Sequence, residues 1–197
     1  MHNPLVIVPY RNRSEHLAVF IPAMRAYLPG AGILVVEQAD SQPFNRGKLF
    51  NAGVREHSDY AYYIFHDVDK IPVAVDYSFP SLPTQLEVNA FQKTGYFGGV
   101  TMFNGADFRY VNGFSNEFWG WGGEDNEMYL NTSRLMQVVE RPGVFRSLPH
   151  KKNGTFNQAA WIQSQRPRTK DDGLSNCMYK LVSSERNDHA LHLKIEL

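Results

Sequence analysis

Short apolar runs alternate with amphipathic stretches through the first third of the chain. Leu5-Val6-Ile7-Val8 is uninterrupted by polar residues, as expected of a strand buried on both faces. It ends in Pro9-Tyr10-Arg11-Asn12-Arg13, and Ser14 is placed to cap a helix over about residues 15–28, whose buried stripe is Leu17, Phe20, Ile21, Met24 and Leu28. Ile33-Leu34-Val35-Val36-Glu37 reads as a second buried strand. Phe44-Asn45-Arg46-Gly47-Lys48 opens a second helix reaching about residue 57, and Tyr60 to Phe65 forms a third strand closing on His66-Asp67-Val68-Asp69. Strand, helix, strand, helix, strand predicts an α/β fold on a largely parallel sheet, where ligands sit at the carboxyl ends of the strands. Arg11, Arg13, Asp67 and Asp69 fall at those ends.

The pattern then loosens. Residues 70–94 carry three prolines and read as irregular surface chain. Gly95 to Phe103 reads as a strand entered through glycines, followed by a short helix near residues 106–111. Asn116 to Glu127 packs two tryptophans and three glycines against a run of acids, and an amphipathic segment follows (Met128, Tyr129, Leu130, Leu135, Met136). Glycines admit positive φ and close ligand approach, tryptophan offers a flat platform for a sugar ring, and acids are favoured at a helix start. Residues 150–170 are polar, basic and interrupted, as a mobile loop would be. Residues 178–183 and 191–197 alternate like antiparallel closing strands.

Length and composition narrow the class. The 197 residues suit one domain over residues 1–197, with 43% apolar and 20% charged residues in the ordinary globular range. A formal net charge of zero gives no electrostatic argument for nucleic acid. No apolar run is long enough to span a bilayer and no leader pattern precedes the first strand, so the expectation is a cytoplasmic protein with no membrane span, peripheral membrane contact staying open. The lone Cys177 excludes an internal disulfide and reads as a small buried apolar residue.

Three clusters carry chemistry. Asp67-Val68-Asp69 sets two carboxylates at a strand end, suited to a hard divalent ion and a sugar. Arg11, Arg13 and Arg46 stand at strand-to-helix junctions on one sheet edge; arginine suits bidentate phosphate contact, so together they suggest a diphosphate site. Phe44 or Tyr10 can stack on a base. Glu124 and Asp125 stand at the start of the helix after the glycines. His150 is a candidate metal ligand, and His66 reads as strand-end packing.

Pro9-Tyr10-Arg11-Asn12-Arg13, Phe44-Asn45-Arg46-Gly47-Lys48-Leu49, Asp67-Val68-Asp69, Tyr96-Phe97-Gly98-Gly99-Val100 and Trp119-Gly120-Trp121-Gly122-Gly123-Glu124-Asp125 occur in that order. So ordered, they resemble the catalytic domain of the β-1,4-galactosyltransferases, glycosyltransferase family 7, over residues 5 to about 185. The resemblance implies a GT-A fold with a mixed, mostly parallel central sheet and flanking helices. It implies a UDP-galactose donor, a glycan or glycoconjugate acceptor, inversion at the anomeric carbon, and Mn²⁺, with Mg²⁺ as the alternative ion. It assigns Pro9, Tyr10, Arg11, Arg13, Phe44, Arg46, Asp67, Val68, Tyr96, Gly99 and Trp121 to the donor, Asp69 and His150 to the metal, Asp125 to the role of base, and Glu124 to donor or acceptor. Ser147 and Leu148 stand where the family carries a second metal-binding side chain, and Asn126 stands where a second acid follows the base. The competing readings are a transferase for UDP-N-acetylgalactosamine or another UDP-sugar, a non-catalytic sugar- or nucleotide-binding module of the same fold, and a metal-dependent phosphohydrolase.

Overall fold

A computed structural model describes residues 3–88, 95–149, 157–169, 171–187 and 189–197. Strand β1 (Pro4–Tyr10), helix α1 (Ser14–Tyr27), β2 (Gly32–Gln38), α2 (Arg46–Glu56) and β3 (Tyr62–His66) follow the expected alternation. β1 runs parallel to both β2 and β3, so the three strands end at one sheet edge. Alternation along β1 explains the two-sided core. Leu5 and Ile7 pack with Leu49 and Phe50 of α2 on one face, and Val6 and Val8 pack with Phe20 and Met24 of α1 on the other. All seven β1 residues are buried, which is why the run carries no polar alternation.

Beyond β3 come β4 (Lys70–Ala74), the two-residue β5 (Thr84–Gln85), β6 (Val100–Asn104), α3 (Gly105–Tyr110), α4 (Glu124–Leu135), β7 (Val139–Glu140), β8 (Val144–Ser147), α5 (Gln158–Ser164), β9 (Lys180–Arg186) and β10 (Leu191–Glu196). The main sheet has the order β7-β5-β6-β3-β1-β2-β10-β9, and β4 pairs with β8 in a small second sheet. β6 joins β3 antiparallel and β9 joins β10 antiparallel, so the sheet is mixed around a parallel centre.

Four local expectations change. Ser14 is the first helical residue of α1 rather than its cap; Arg13 holds the cap position without a side-chain hydrogen bond. Residues 70–88 are not wholly irregular, because β4 accommodates Pro72 beside a register shift in its pairing with β8. The strand expected from Gly95 begins only at Val100, since Gly95 and Gly98 take φ of +132° and +70°. Within the expected loop at 150–170, Asn157 caps α5 by accepting the Ala160 N–H at 3.1 Å. His150 lies outside the described residues.

Candidate active site

Asn45 fixes the start of α2. Its backbone N–H donates to Gln38 Oε1 (3.0 Å), its side-chain oxygen accepts the Lys48 N–H (2.9 Å), and its amide donates to Asn116 O (2.8 Å). This completely buried residue ties the end of β2, the start of α2 and the loop before the tryptophans together. Arg46, the first residue of α2, is thereby aimed across the strand ends.

Its guanidinium is the hub of the site. Arg46 Nε donates to Asp67 Oδ1 at 2.7 Å, Nη1 to Asp125 Oδ1 at 2.5 Å, and Nη2 to Gly98 O at 3.1 Å. Glu124 Oε1 lies 3.8 Å from Nη1, and the Phe50 ring centroid lies 4.8 Å from the guanidinium carbon. The sequence suggested that Arg46 would contact phosphate beside Arg11 and Arg13. Its guanidinium instead collects carboxylates, whose charge holds its pKa above the ordinary arginine value against the opposing effect of burial. Arg11 donates to Gln42 O at 2.6 Å and lies 5.3 Å over the Phe44 ring, while Arg13 is half-buried at the start of α1. Pro9 is buried in β1. Tyr10 is buried too, edge-on to His192 at 5.8 Å, which leaves half-buried Phe44 the better placed of the two aromatics for a base.

The Asp67–Asp69 turn is built by main chain. Asp67 N–H donates to Gly99 O (2.8 Å), Lys70 N–H to Asp67 O (3.2 Å), and Leu148 N–H to Asp69 O (2.8 Å). Asp69 and Val68 are buried, whereas Asp67 is half-buried. His66, completely buried at the end of β3, bonds through Nδ1 to Asp67 O and through Nε2 to the Tyr77 hydroxyl, both at 2.9 Å. Burial lowers its pKa to about 4, so it stays neutral and acts as a brace.

The acids at α4 are presented by glycine geometry. Gly122 and Gly123 take φ of +106° and +98°, and a Cβ on Gly123 would meet Ala160 O at 2.7 Å and the Phe118 ring at 2.8 Å. Glu124, Asp125 and Glu127 occupy the first turn, where the helix dipole favours negative charge. Burial pushes the Asp125 carboxyl well up; Glu124 and Asp67 push the same way, and Arg46 opposes them. Glu124 is raised by burial in the same manner. Phe97 N–H donates to Asp125 O at 3.3 Å, which fixes the glycine strand against the helix start. Tyr96, half-buried, feels the charges of Glu87 and Asp125 and its phenol pKa is raised, chiefly by burial. Trp121 stands 47% exposed as an open platform, and Trp119 carries Lys48 Nζ 5.3 Å from its ring centroid.

Two groups escaped the sequence reading. Glu87 accepts the Gly99 N–H at 2.7 Å and pairs with Lys70. A Cβ on Gly99 would lie 2.5 Å from Glu87 Oε2 and 2.9 Å from Asp67 Oδ2, so only glycine fits between the two acids. Lys70 directly follows Asp69 and was a legible signal; Glu87, in a proline-rich stretch, was not. Glu127 and Arg168 form the second group, a buried pair behind the helix start. A cavity of about 480 Å³ lies there, lined by Glu117, Phe118, Glu127, Gln163 and Arg168 among others. None of Asp67, Asp69, Glu124 or Asp125 reaches it, so the chemistry belongs to the Arg46 cluster. Cys177 is buried, with its thiol pushed up to about 11 by burial, as a structural cysteine would be.

A family model described as the N-terminal region of glycosyl transferase group 7 matches residues 1–79, and one described as the N-terminal domain of galactosyltransferase matches residues 88–152. Human β-1,4-galactosyltransferase 4 is 35% identical over 97% of this chain and 62% of its own length, and human β-1,4-galactosyltransferase 5 is 36% identical over 88% of this chain and 50% of its own. The chain therefore spans between half and about 62% of the length of these relatives. The solved catalytic domain of Drosophila β-1,4-galactosyltransferase 7 with xylobiose is 29% identical, with a TM-score of 0.88 over 100% of this chain and 94% of that one. A mutant of the Drosophila enzyme, in complex with manganese, UDP-Gal and xylobiose, is 30% identical, with a TM-score of 0.87 over the same shares.

Proposed function

The chain belongs to the β-1,4-galactosyltransferase family of glycosyl transferase group 7, and from that premise we propose that it transfers galactose from UDP-galactose to a sugar hydroxyl, with inversion and with a divalent ion. The convergence of Asp67, Glu124 and Asp125 on buried Arg46 carries this reading. It gathers, on one edge, the acid assigned to the donor and the acid assigned to the base. An inverting displacement needs a base on the acceptor hydroxyl and positive charge on the departing diphosphate. Asp125, with its carboxyl raised by burial, is a stronger proton acceptor than an ordinary aspartate once ionised. Arg46 holds it in place. Trp121 and Tyr96 supply ring faces for sugars, and Gly99 lets the donor sugar approach the backbone.

Among the described residues no three His, Cys, Asp or Glu side chains already form a metal-holding group, but the surplus of carboxylates suits a hard cation. Asp67, Asp69, Glu87, Glu124 and Asp125 interact electrostatically with one another or with Arg46 and Lys70, so carboxylates outnumber protein cations. Asp69 would hold the ion, with His150 assigned to it by the family resemblance. The ion supplies Lewis-acid charge to the leaving UDP. The Drosophila relative, crystallised with manganese, UDP-Gal and xylobiose, supports the same donor, ion and acceptor class here. The test is an acceptor array with UDP-galactose and Mn²⁺. Acceptor-dependent galactosyl transfer is expected. Release of free galactose regardless of acceptor would favour a hydrolase, and UDP-galactose binding without turnover on any acceptor would favour a binding module.

A further inference from the structure

We propose that Lys70 is a built-in counter-charge for the nucleotide diphosphate, so that the chain grips UDP through a protein cation as well as through a metal ion. The proposal rests on the donor reading above. Lys70 opens β4 immediately after Asp69 and pairs across the small sheet with Ser147 of β8. Its Nζ donates to Ser147 Oγ at 3.1 Å and to Glu87 Oε1. The other Glu87 oxygen accepts the Gly99 N–H at 2.7 Å, and Gly99 O accepts the Asp67 N–H at 2.8 Å. One hydrogen-bonded network therefore locks the ammonium to both structures that frame the donor, the Asp67–Asp69 turn and the glycine strand. Only 19% of the Lys70 side chain is exposed, so the charge is held in place rather than waving in solvent.

Ser147 sharpens the case. It ends β8 three residues before His150, and it brings a neutral hydroxyl already bonded to an ammonium rather than a second strong donor for an ion. A compact ammonium serves as a point charge toward phosphate oxygens. Glu87 neutralises it while the site is unliganded, and a diphosphate would compete for it. The bland alternative is a structural pair that merely fastens β4 to the glycine strand.

The two readings separate in UDP binding measured by titration calorimetry on the whole chain, with Mn²⁺ and with excess chelator. Wild type should retain measurable UDP affinity in chelator. Lys70→Met should lose about tenfold or more of that metal-free affinity, the scale of one charge-assisted hydrogen bond, with a smaller loss in saturating Mn²⁺. Lys70→Arg should restore most of it. Glu87→Gln removes the competing carboxylate and should preserve or raise metal-free affinity, whereas a purely structural pair would lose affinity in Glu87→Gln and Lys70→Met alike. Equal metal-free affinities in wild type and Lys70→Met would overturn the proposal, as would wild-type binding that vanishes in chelator. Failure of wild type to bind UDP even in Mn²⁺ would take down the donor reading and this proposal with it.

Discussion

Glu127 and Arg168 face each other through both carboxylate oxygens and two guanidinium nitrogens, with 4% and 5% of their side chains exposed. The pair pins the segment after α5 to the helix that presents Glu124 and Asp125, and Arg168 Nη1 adds a 2.6 Å bond to Gly113 O beyond α3. Breaking a buried pair by removing one partner leaves an uncompensated charge and costs roughly 3–5 kcal/mol. Arg168→Met should destabilise the fold by that amount in chemical denaturation. Adding Glu127→Leu to the same chain should recover part of the loss, since the double variant strands no charge. A loss under ~1 kcal/mol would show that the pair is dispensable, and a full loss without recovery in the double variant would show that the cost is not that of a stranded charge.

Asp125→Asn separates function from stability. General-base catalysis typically contributes ~10²–10⁴-fold, so turnover should fall by that order while UDP-galactose binding persists. A folded-state pKa raised above the unfolded value means that the carboxyl's contribution to stability is present below the unfolded pKa and is lost as pH rises through the folded pKa. Above the unfolded pKa the acid is thus a burden on the fold, and the amide removes it. Arg46 keeps Asp67 as its partner. The variant should melt higher, by ~2–4 °C if the gain is about 1 kcal/mol. Near-normal turnover would move the base to another residue, and a lower melting point would mean that the Arg46 contact outweighs the burial cost.

The pH profile follows from the same cluster. The base works only when ionised, so kcat/KM should fall on the acid side with a midpoint above the ordinary aspartate value of ~3.9. Glu124 pushes Asp125 upward, and the two titrate together. Glu124→Gln removes that like charge and should shift the acid limb to lower pH, whatever it does to the maximal rate. A limb at the ordinary value in wild type, or one unmoved in the variant, contradicts the assigned electrostatics.

Tyr96 bears on donor choice. Its ring lies within the influence of Glu87 and Asp125, beside the Gly98–Gly99 turn. A phenol anchored there leaves little room for an acetamido group, and forced overlap costs on the order of 1–3 kcal/mol. Tyr96→Leu should therefore raise kcat/KM for UDP-N-acetylgalactosamine relative to UDP-galactose. The galactose preference loses its physical basis if that ratio stays constant, or if the wild type already favours the N-acetylated donor.

Asp69→Ala and His150→Ala should each weaken Mn²⁺-dependent UDP-sugar binding. Losing a ligand should cost at least the ~10–100-fold that follows from losing a group that merely supports one. Calorimetry with Mn²⁺ in both variants checks this; unchanged metal affinity in either removes that residue from the ion.

Local patterning determined the first three strands and two helices, because burial on one stripe or on both faces is written into neighbouring residues. The run Leu5–Val8 and the stripe Phe20–Met24 needed no partner to be read. Local patterning also set Asp67 and Asp69 at a strand end and the acids at the start of α4, since glycines and a first-turn acid run mark that boundary. Tertiary structure decided what those groups meet. Arg46 bonds partners 21 and 79 residues away, and nothing in its neighbourhood distinguishes a guanidinium bound for phosphate from one that collects carboxylates. β4 and β5 were illegible because their order comes from pairing with β8 and β6 rather than from apolar periodicity. Glu87 became part of the site only because β5 lays the chain beside Gly99. A strand advertises its buried face in its own sequence, but a charge acquires its partner only when distant elements close on it.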